Sequence, residues 1–327
     1  MDLIYRAAIG SVAAFIVTFL LLKFLPGEKV LLGHDRGRKF AQGSAVNIGK
    51  PTGVGFYFTL VFALASGICC YFSPSLICAL TAIVASMMTG FLDDRSKNPW
   101  DEYLKGFLDF VMSVLGAVVC VWFYGSDLVI GLTGAKYHLN PVLFSALAVL
   151  LFVVSINATN ATDGIDGLSG SLSILSIATL FAVSFINLPV LGINKEGLIM
   201  GAIMISVLIA YLIFNFNPSK MMMGDAGSRA LGFFIAFYAI YLKIPFAYLI
   251  VGLPFICDGG ISIFKITVGR LTKKKIIPFK NITTPLHDEL RKNRGFNVRK
   301  VWATLVIAAL AIDLIYVGIT FFLHLGK

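Results

Sequence analysis

Charge is scarce in this chain: aspartate, glutamate, lysine and arginine together make up 13% of 327 residues, and only 17 of these are acidic. Soluble domains carry about 25% charged residues, so a soluble fold is excluded. Histidine occurs four times and cysteine five times. Cys69, Cys70, Cys78, Cys120 and Cys257 all fall in apolar stretches without metal-ligand spacing, and read as small buried hydrophobes. Tandem repeats and low-complexity tracts are absent. The first apolar stretch has no small-residue cleavage site after it, so it is expected to stay as structure rather than leave as a signal peptide.

Apolar residues take up the space that charge leaves. The chain is 58% hydrophobic with a mean hydropathy of +0.87, values of a polytopic α-helical membrane protein. A helix needs roughly 17–25 apolar residues to cross the hydrocarbon core. Segments of that kind cover about 3–25, 53–73, 75–92, 104–124, 142–160, 168–186, 197–214, 228–243, 245–269 and 301–325. They predict ten spans in a single transmembrane domain over residues 1–327, with both termini on one side. Only Lys243-Ile-Pro245 separates the eighth segment from the ninth.

Lysine and arginine set the orientation, because short positively charged loops stay in the cytoplasm. The loops after the odd-numbered spans hold 20 of the 27 basic residues, including Lys29, Arg36, Arg38, Lys39 and Lys50 in the first and ten from Arg270 to Lys300 in the last. The opposite loops hold Lys136, Lys195 and Lys243. Both termini are therefore expected outside and the basic loops inside. The net charge of +10 fits attraction to anionic headgroups or a grip on a phosphorylated substrate. No nucleic acid partner is expected.

The acidic and amide groups fall in or beside the inside loops. Asp93-Asp94 closes the third span, Lys97 follows three residues later, and Lys105 opens the fourth. Such a pair is either a solvated cap or a hard-cation site, since Mg²⁺ takes carboxylate oxygens and shares its other positions with water and phosphate. Asn157, Asn160, Asp163 and Asp166 recur every three residues, a spacing that predicts one stripe of four side-chain oxygens, with Gly164 and Gly167 allowing sharp turns. An aspartate at a helix centre costs about 2.5–3.5 kcal/mol on insertion scales, so the run is not filler. Asn215 ends the seventh span, and Asp225 follows Met222 in Met-Met-Gly-Asp-Ala-Gly-Ser, where it can cap the eighth helix, bind a ligand, or both. His287 is the one histidine set among the charged groups of the long last loop, and imidazole there can contact a pyrophosphate or shuttle a proton. Asp109, Asp258 and Asp313 are candidates because intramembrane carboxylates are costly, with Asp258 beside Gly259-Gly260 the best placed.

The set Gly90-Phe-Leu-Asp93-Asp94, Asn157-x-x-Asn160-x-x-Asp163-Gly-x-Asp166-Gly167-Leu, Phe214-Asn215 with Met223-Gly-Asp225-x-Gly-Ser, and a histidine-bearing last loop resembles the polyprenyl-phosphate N-acetylhexosamine-1-phosphate transferases from about residue 50 to 300. The resemblance implies an all-α fold of ten transmembrane helices in the bacterial inner membrane, with a cytoplasmic active-site cleft and often a homodimer. It implies Mg²⁺-dependent transfer of a phospho-sugar from a UDP-N-acetylhexosamine to undecaprenyl phosphate, releasing UMP. By the same resemblance Asp225 and Asp94 hold Mg²⁺, and Asp93 takes a proton from the lipid phosphate or positions it. Asn160, Asp163 and Asp166 contact nucleotide or pyrophosphate; Lys97, Lys105, Asn215 and His287 surround the phosphates; Asn157 and Met222 complete the substrate-binding set. Lys50-Pro51-Thr52-Gly53-Val-Gly55 and Pro285-Leu286-His287 are most similar to the branch that uses UDP-N-acetylmuramoyl-pentapeptide and makes the first lipid intermediate of peptidoglycan. His287-Asp288-Glu289 stands where that branch has three histidines, Met222 where it has an aromatic residue, and Asp258 where it has glutamate. These departures keep the N-acetylglucosamine 1-phosphate branch open.

Two other classes share part of the pattern. An intramembrane prenyltransferase uses two Asp-rich motifs, and only Asp163-x-x-Asp166 resembles one. A transporter with a carboxylate relay would place ionisable groups near the midplane in pseudo-symmetric halves, whereas the cluster here lies at one surface and no repeat is present.

Overall fold

The computed structural model describes residues 2–24, 33–34, 48–98, 100–192 and 195–325; the basic residues Lys29, Arg36, Arg38 and Lys39 lie outside that set. Helices form where the apolar segments are, and their starts carry capping side chains. α1 (Asp2–Phe24) and α2 (Gly55–Cys69) come first. α3 (Pro74–Arg95) begins with the Ser73 hydroxyl accepting from the Leu76 amide, and α4 (Glu102–Tyr124) with Asp101 accepting from Leu104. α5 (Pro141–Thr162) is capped by Asn140. In each case a side-chain oxygen satisfies an amide that the first turn leaves without a partner. There follow α6 (Leu168–Ile186), the short turn α7 (Leu188–Leu191), α8 (Lys195–Asn215) and α9 (Gly224–Tyr241). Next come two further short turns, α10 (Tyr248–Val251) and α11 (Leu253–Phe255), a π-turn over Ile256–Gly260, and α12 (Ile261–Leu271). α13 (Leu286–Lys292) lies in the last loop, and α14 (Val298–His324) ends the fold. Two small antiparallel ladders complete it: β1 (Gly33–His34) with β2 (Pro51–Thr52), and β3 (Asp127–Ile130) with β4 (Ala135–His138).

This is an all-α polytopic membrane protein. Each of the ten predicted apolar segments contains helix, and among the described residues seven helices are long and apolar enough to cross a membrane. The predicted ninth span is not one straight helix: Pro245–Val251 and Leu253–Leu271 are bent by 53°. Gly252 lies at the break, and just beyond it Pro254, which has no amide hydrogen to donate, and the π-turn interrupt the regular hydrogen-bond ladder. Counting that pair as one span brings the total to eight among the described residues. The predicted second span shortens to the 15 residues of α2.

α9 occupies the centre, buried from Asp225 through Ile240. α2, α3, α4, α5 and α6 pack around it. Peripheral helices turn large side chains such as Ile9, Trp122 and Phe322 outward, a surface suited to lipid rather than water. At its start α9 is also in close contact with α3. A Cβ at Gly90 would lie 2.2 Å from the Asp225 carbonyl carbon and oxygen, so α3 touches α9 backbone to backbone. That contact brings Asp93-Asp94 to Asp225.

Candidate active site

The N-terminus of α9 is capped from another helix. Asp94 Oδ1 accepts the Asp225 amide at 3.1 Å and Oδ2 accepts the Ala226 amide at 2.9 Å. A carboxylate there also meets the positive end of the helix dipole. Gly224, at φ +69°, makes the turn into the helix, and a Cβ on it would sit 2.3 Å from Asp94 Oδ2. The Gly-Asp pair of the Met-Gly-Asp motif is thus fixed by the Asp-Asp pair of α3.

Asp225 is the hub. Its Oδ1 accepts from Asn160 Nδ2 at 3.0 Å, and its Oδ2 accepts from Lys105 Nζ at 3.1 Å and from Arg229 at 3.5 Å. Asn160 also donates to Ser228 Oγ at 2.9 Å. Lys105 pairs with Asp93 as well, and the other Asp93 oxygen accepts the Trp100 amide at 2.7 Å. Arg229 in turn reaches Asp109 Oδ1 on α4 at 2.5 Å. Groups from α3, α4, α5 and α9 therefore converge at one end of the bundle.

The donor chemistry suits a hard cation. Among the described residues no three acidic, histidine or cysteine side chains form a ready-made cage. A Mg²⁺ site shared with phosphate needs only one or two carboxylates and completes its shell with water and substrate oxygens. Asp94 and Asp225 supply such oxygens, each with lone-pair capacity beyond the bonds already made. The Lys105 ammonium bridges Asp93 and Asp225.

The predicted stripe over Asn157, Asn160, Asp163 and Asp166 does not continue along one wall. α5 ends at Thr162, and Gly167, at φ +77°, reverses the chain. Asn157 donates back to the Val153 carbonyl at 3.0 Å, Asn160 faces Asp225, and Asp163 is the half-buried C-cap. Asp166, beyond the turn, accepts from Asn217 Nδ2 at 2.9 Å, from the Ser219 amide at 3.1 Å and from Ser219 Oγ at 2.8 Å. Ser219 is also reached by Lys50 Nζ at 3.1 Å. Buried Asn215 accepts the Gly167 amide at 2.9 Å and donates to the Met221 carbonyl at 2.8 Å. Asp166 and Asn215 thus tie the turn after α5 to the loop before α9. Met222 pairs with the strand-like segment after Lys50, its amide donating to Pro51 and its carbonyl accepting from Val54. Lys97 lies exposed in the turn after α3.

His287 comes in from the last loop. Its backbone amide donates to Asp258 Oδ1 at 2.7 Å, and its Nδ1 lies 2.8 Å from Asp258 Oδ2. Asp258 is fully buried in the π-turn. With Nδ1 committed, Nε2 points at the turn after α5, where a Cβ on Gly164 would lie 2.5 Å from it. Glu289 anchors the loop: the Thr283 amide, then Asn293, donate to it and hold its carboxyl below the usual range. Asp288 pairs with Lys292 at 3.0 Å.

Sequence reasoning misses Arg229, which counts there only as a loop charge. Its signal is its position four residues after Asp225, which puts both on one face of α9.

Residues 76–243, about half of the chain, match the family described as Glycosyl transferase family 4. The chain belongs to glycosyl transferase family 4. The family match contains Asp93, Asp94, Lys105, Asn160 and Asp225, while Asp258 and His287 lie beyond it. Relatives match over more of the length. A phospho-N-acetylmuramoyl-pentapeptide-transferase of Treponema pallidum (strain Nichols) is 33% identical over 96% of this chain and 90% of its own. Proteins of the same name from Lactobacillus helveticus (strain DPC 4571) and Staphylococcus haemolyticus (strain JCSC1435) are 28% and 29% identical, over 98% and 85% of this chain and 99% and 88% of their own.

Proposed function

We propose that this chain transfers phospho-N-acetylmuramoyl-pentapeptide from its UDP-activated form to undecaprenyl phosphate, giving the first lipid-linked intermediate of peptidoglycan and UMP. One observation carries the reading: separate motifs converge on Asp225 in a chain that matches, over nearly its whole length, proteins named for that transfer.

In the reaction an oxygen of the lipid phosphate attacks the sugar-bearing phosphorus, the bond to the UMP phosphate breaks, and UMP leaves with its electron pair. Both phosphates are largely ionised at neutral pH, so positioning and charge neutralisation supply most of the help. Mg²⁺, held by Asp225 and Asp94, would neutralise charge on the phosphate oxygens. Asn160 and Asp94 fix Asp225 and its helix end. Lys105 offers its ammonium to the phosphates, and Asp93, bound to Lys105 and to the Trp100 amide, positions that ammonium. His287 presents Nε2 beside Asp163-Gly164; with Nδ1 donating to Asp258, a pyrophosphate oxygen accepts from Nε2 when the ring carries both protons. Asp166 and Asn215 act through the loops they join.

The reading extends to topology: ten spans in one domain, both termini outside, and a cytoplasmic site in the bacterial inner membrane, with a homodimer as the assembly. The basic loops beside the site and the helical nature of all ten apolar segments support it. Transfer of N-acetylglucosamine 1-phosphate is the second reading. It is favoured by the last loop, where Asp288 and Glu289 replace two histidines and are engaged by Lys292, Thr283 and Asn293.

The test is UMP release by detergent-purified protein with Mg²⁺ and undecaprenyl phosphate, offered UDP-N-acetylmuramoyl-pentapeptide or UDP-N-acetylglucosamine, with Asp225→Asn as control. Release from the pentapeptide substrate alone, lost in the control, is expected. Release from UDP-N-acetylglucosamine alone would move the chain to the second reading.

A further inference from the structure

Arg229 and Asp109 pair at 2.5 Å inside the helical bundle, 2% and 5% exposed. Buried pairs add little stability and charges within spans are costly, so a pair kept there is a candidate for work at the site it touches. Arg229 touches that site: it lies 3.5 Å from Asp225 Oδ2, one helical turn along α9. Its buried Nε has no hydrogen-bond partner among the described residues. Continuous contacts link Asp93, Asp94, Asp109 and Asp225 with Lys105 and Arg229. Arg229 thus sets one positive charge beside Asp225, and Asp109 sets a carboxylate against it from α4.

We propose that Arg229 and Asp109 together set how strongly the carboxylate cluster pulls on a divalent cation. Arg229 is a positioning residue for Asp225, and Asp109 is its anchor on α4. The inference rests on the assignment of Asp225 and Asp94 as metal ligands and is independent of which sugar is transferred. Neutralising Arg229 removes a positive charge beside Asp225 and strengthens the pull on a divalent cation. Neutralising Asp109 leaves the Arg229 guanidinium unopposed and weakens it, and neutralising both removes the two opposing effects together. A pair that only staples α4 to α9 predicts no such alternation.

The experiment uses Mn²⁺ alone as the probe, titrated into the full-length protein in detergent without substrate and read from the free-ion paramagnetic resonance signal. Wild type, Arg229→Gln, Asp109→Asn and the double variant are compared. The dissociation constant is expected about tenfold tighter in Arg229→Gln, about tenfold weaker in Asp109→Asn and within about threefold of wild type in the double variant, as one charge a few ångströms away would produce under partial screening. Equal constants in all four proteins, or a double variant displaced as far as either single one, overturns the proposal. Gel filtration and thermal unfolding check folding. If Arg229→Gln does not fold, Asp109→Asn against the double variant decides: weaker binding in Asp109→Asn supports charge setting, and equal binding overturns it. UMP release is read in parallel. A silent wild type with the Mn²⁺ pattern intact would refute the transferase reading and leave charge setting standing.

Discussion

Replacing Gly90 with alanine places a methyl group where its Cβ would lie 2.2 Å from the Asp225 carbonyl carbon and oxygen and 2.5 Å from the Ala226 amide nitrogen. Non-bonded carbon contacts relax at about 3.5 Å, so α3 and α9 must part there by about 1.3 Å. Asp94 spans that gap with bonds of 3.1 and 2.9 Å, and adding the displacement takes both beyond hydrogen-bonding distance. Overpacking of this kind costs about 1–3 kcal/mol. A misplacement of about 1 Å at reacting groups costs about 100-fold in rate. Gly90→Ala is therefore expected to lower kcat for UMP release by about 100-fold and to lower the unfolding temperature in detergent. Gly106→Ala is the matched comparison. It adjoins Lys105, no atom lies within 4 Å of its Cβ, and it should keep activity within about twofold because alanine is the better helix former. Equal activity in the two variants would mean that the α3–α9 contact does not set the site.

Lys105→Met leaves Asp93 and Asp225 facing each other without the bridging ammonium and should lower kcat by about 100-fold, with Lys105→Arg recovering part of it in the same UMP assay. Asp258→Asn removes the carboxylate that orients His287 and should cost at least about tenfold in kcat with little change in KM, while Asp258→Glu should retain more activity. Chelation of divalent ions should abolish UMP release, and added Mg²⁺ should restore it. An alkaline phosphatase fused after Lys327 should be active and a fluorescent protein fused there dark, because the C-terminus is expected outside; the reverse pattern would overturn the ten-span orientation.

Much of the fold is legible in the sequence because lipid imposes a simple rule: a long apolar run must satisfy its backbone internally, and so becomes helix. Ser73-Pro74, Asp101 and Asn140-Pro141 even mark three of the starts. The break in the ninth segment is less legible, because Gly252, Pro254 and Gly259-Gly260 are spread over nine positions and none alone dictates a 53° bend. In the site, Asp93, Asp94 and Asp225 stand out because carboxylates are rare. Asp166 and Asn215 stand out equally, yet their bonds hold loops together, and local spacing does not distinguish a latch from a ligand. The partnership of Arg229 with Asp109 spans 120 residues and depends on α4 lying beside α9, a tertiary fact that periodicity does not carry.

The most direct test of the central claim follows the phosphorus. With the sugar-bearing phosphate of UDP-N-acetylmuramoyl-pentapeptide radiolabelled, the label should pass into the lipid-linked product while UMP is released unlabelled, and neither should occur in Asp225→Asn. Label released to water as free sugar phosphate, or UMP formed without undecaprenyl phosphate, would contradict transfer to the lipid.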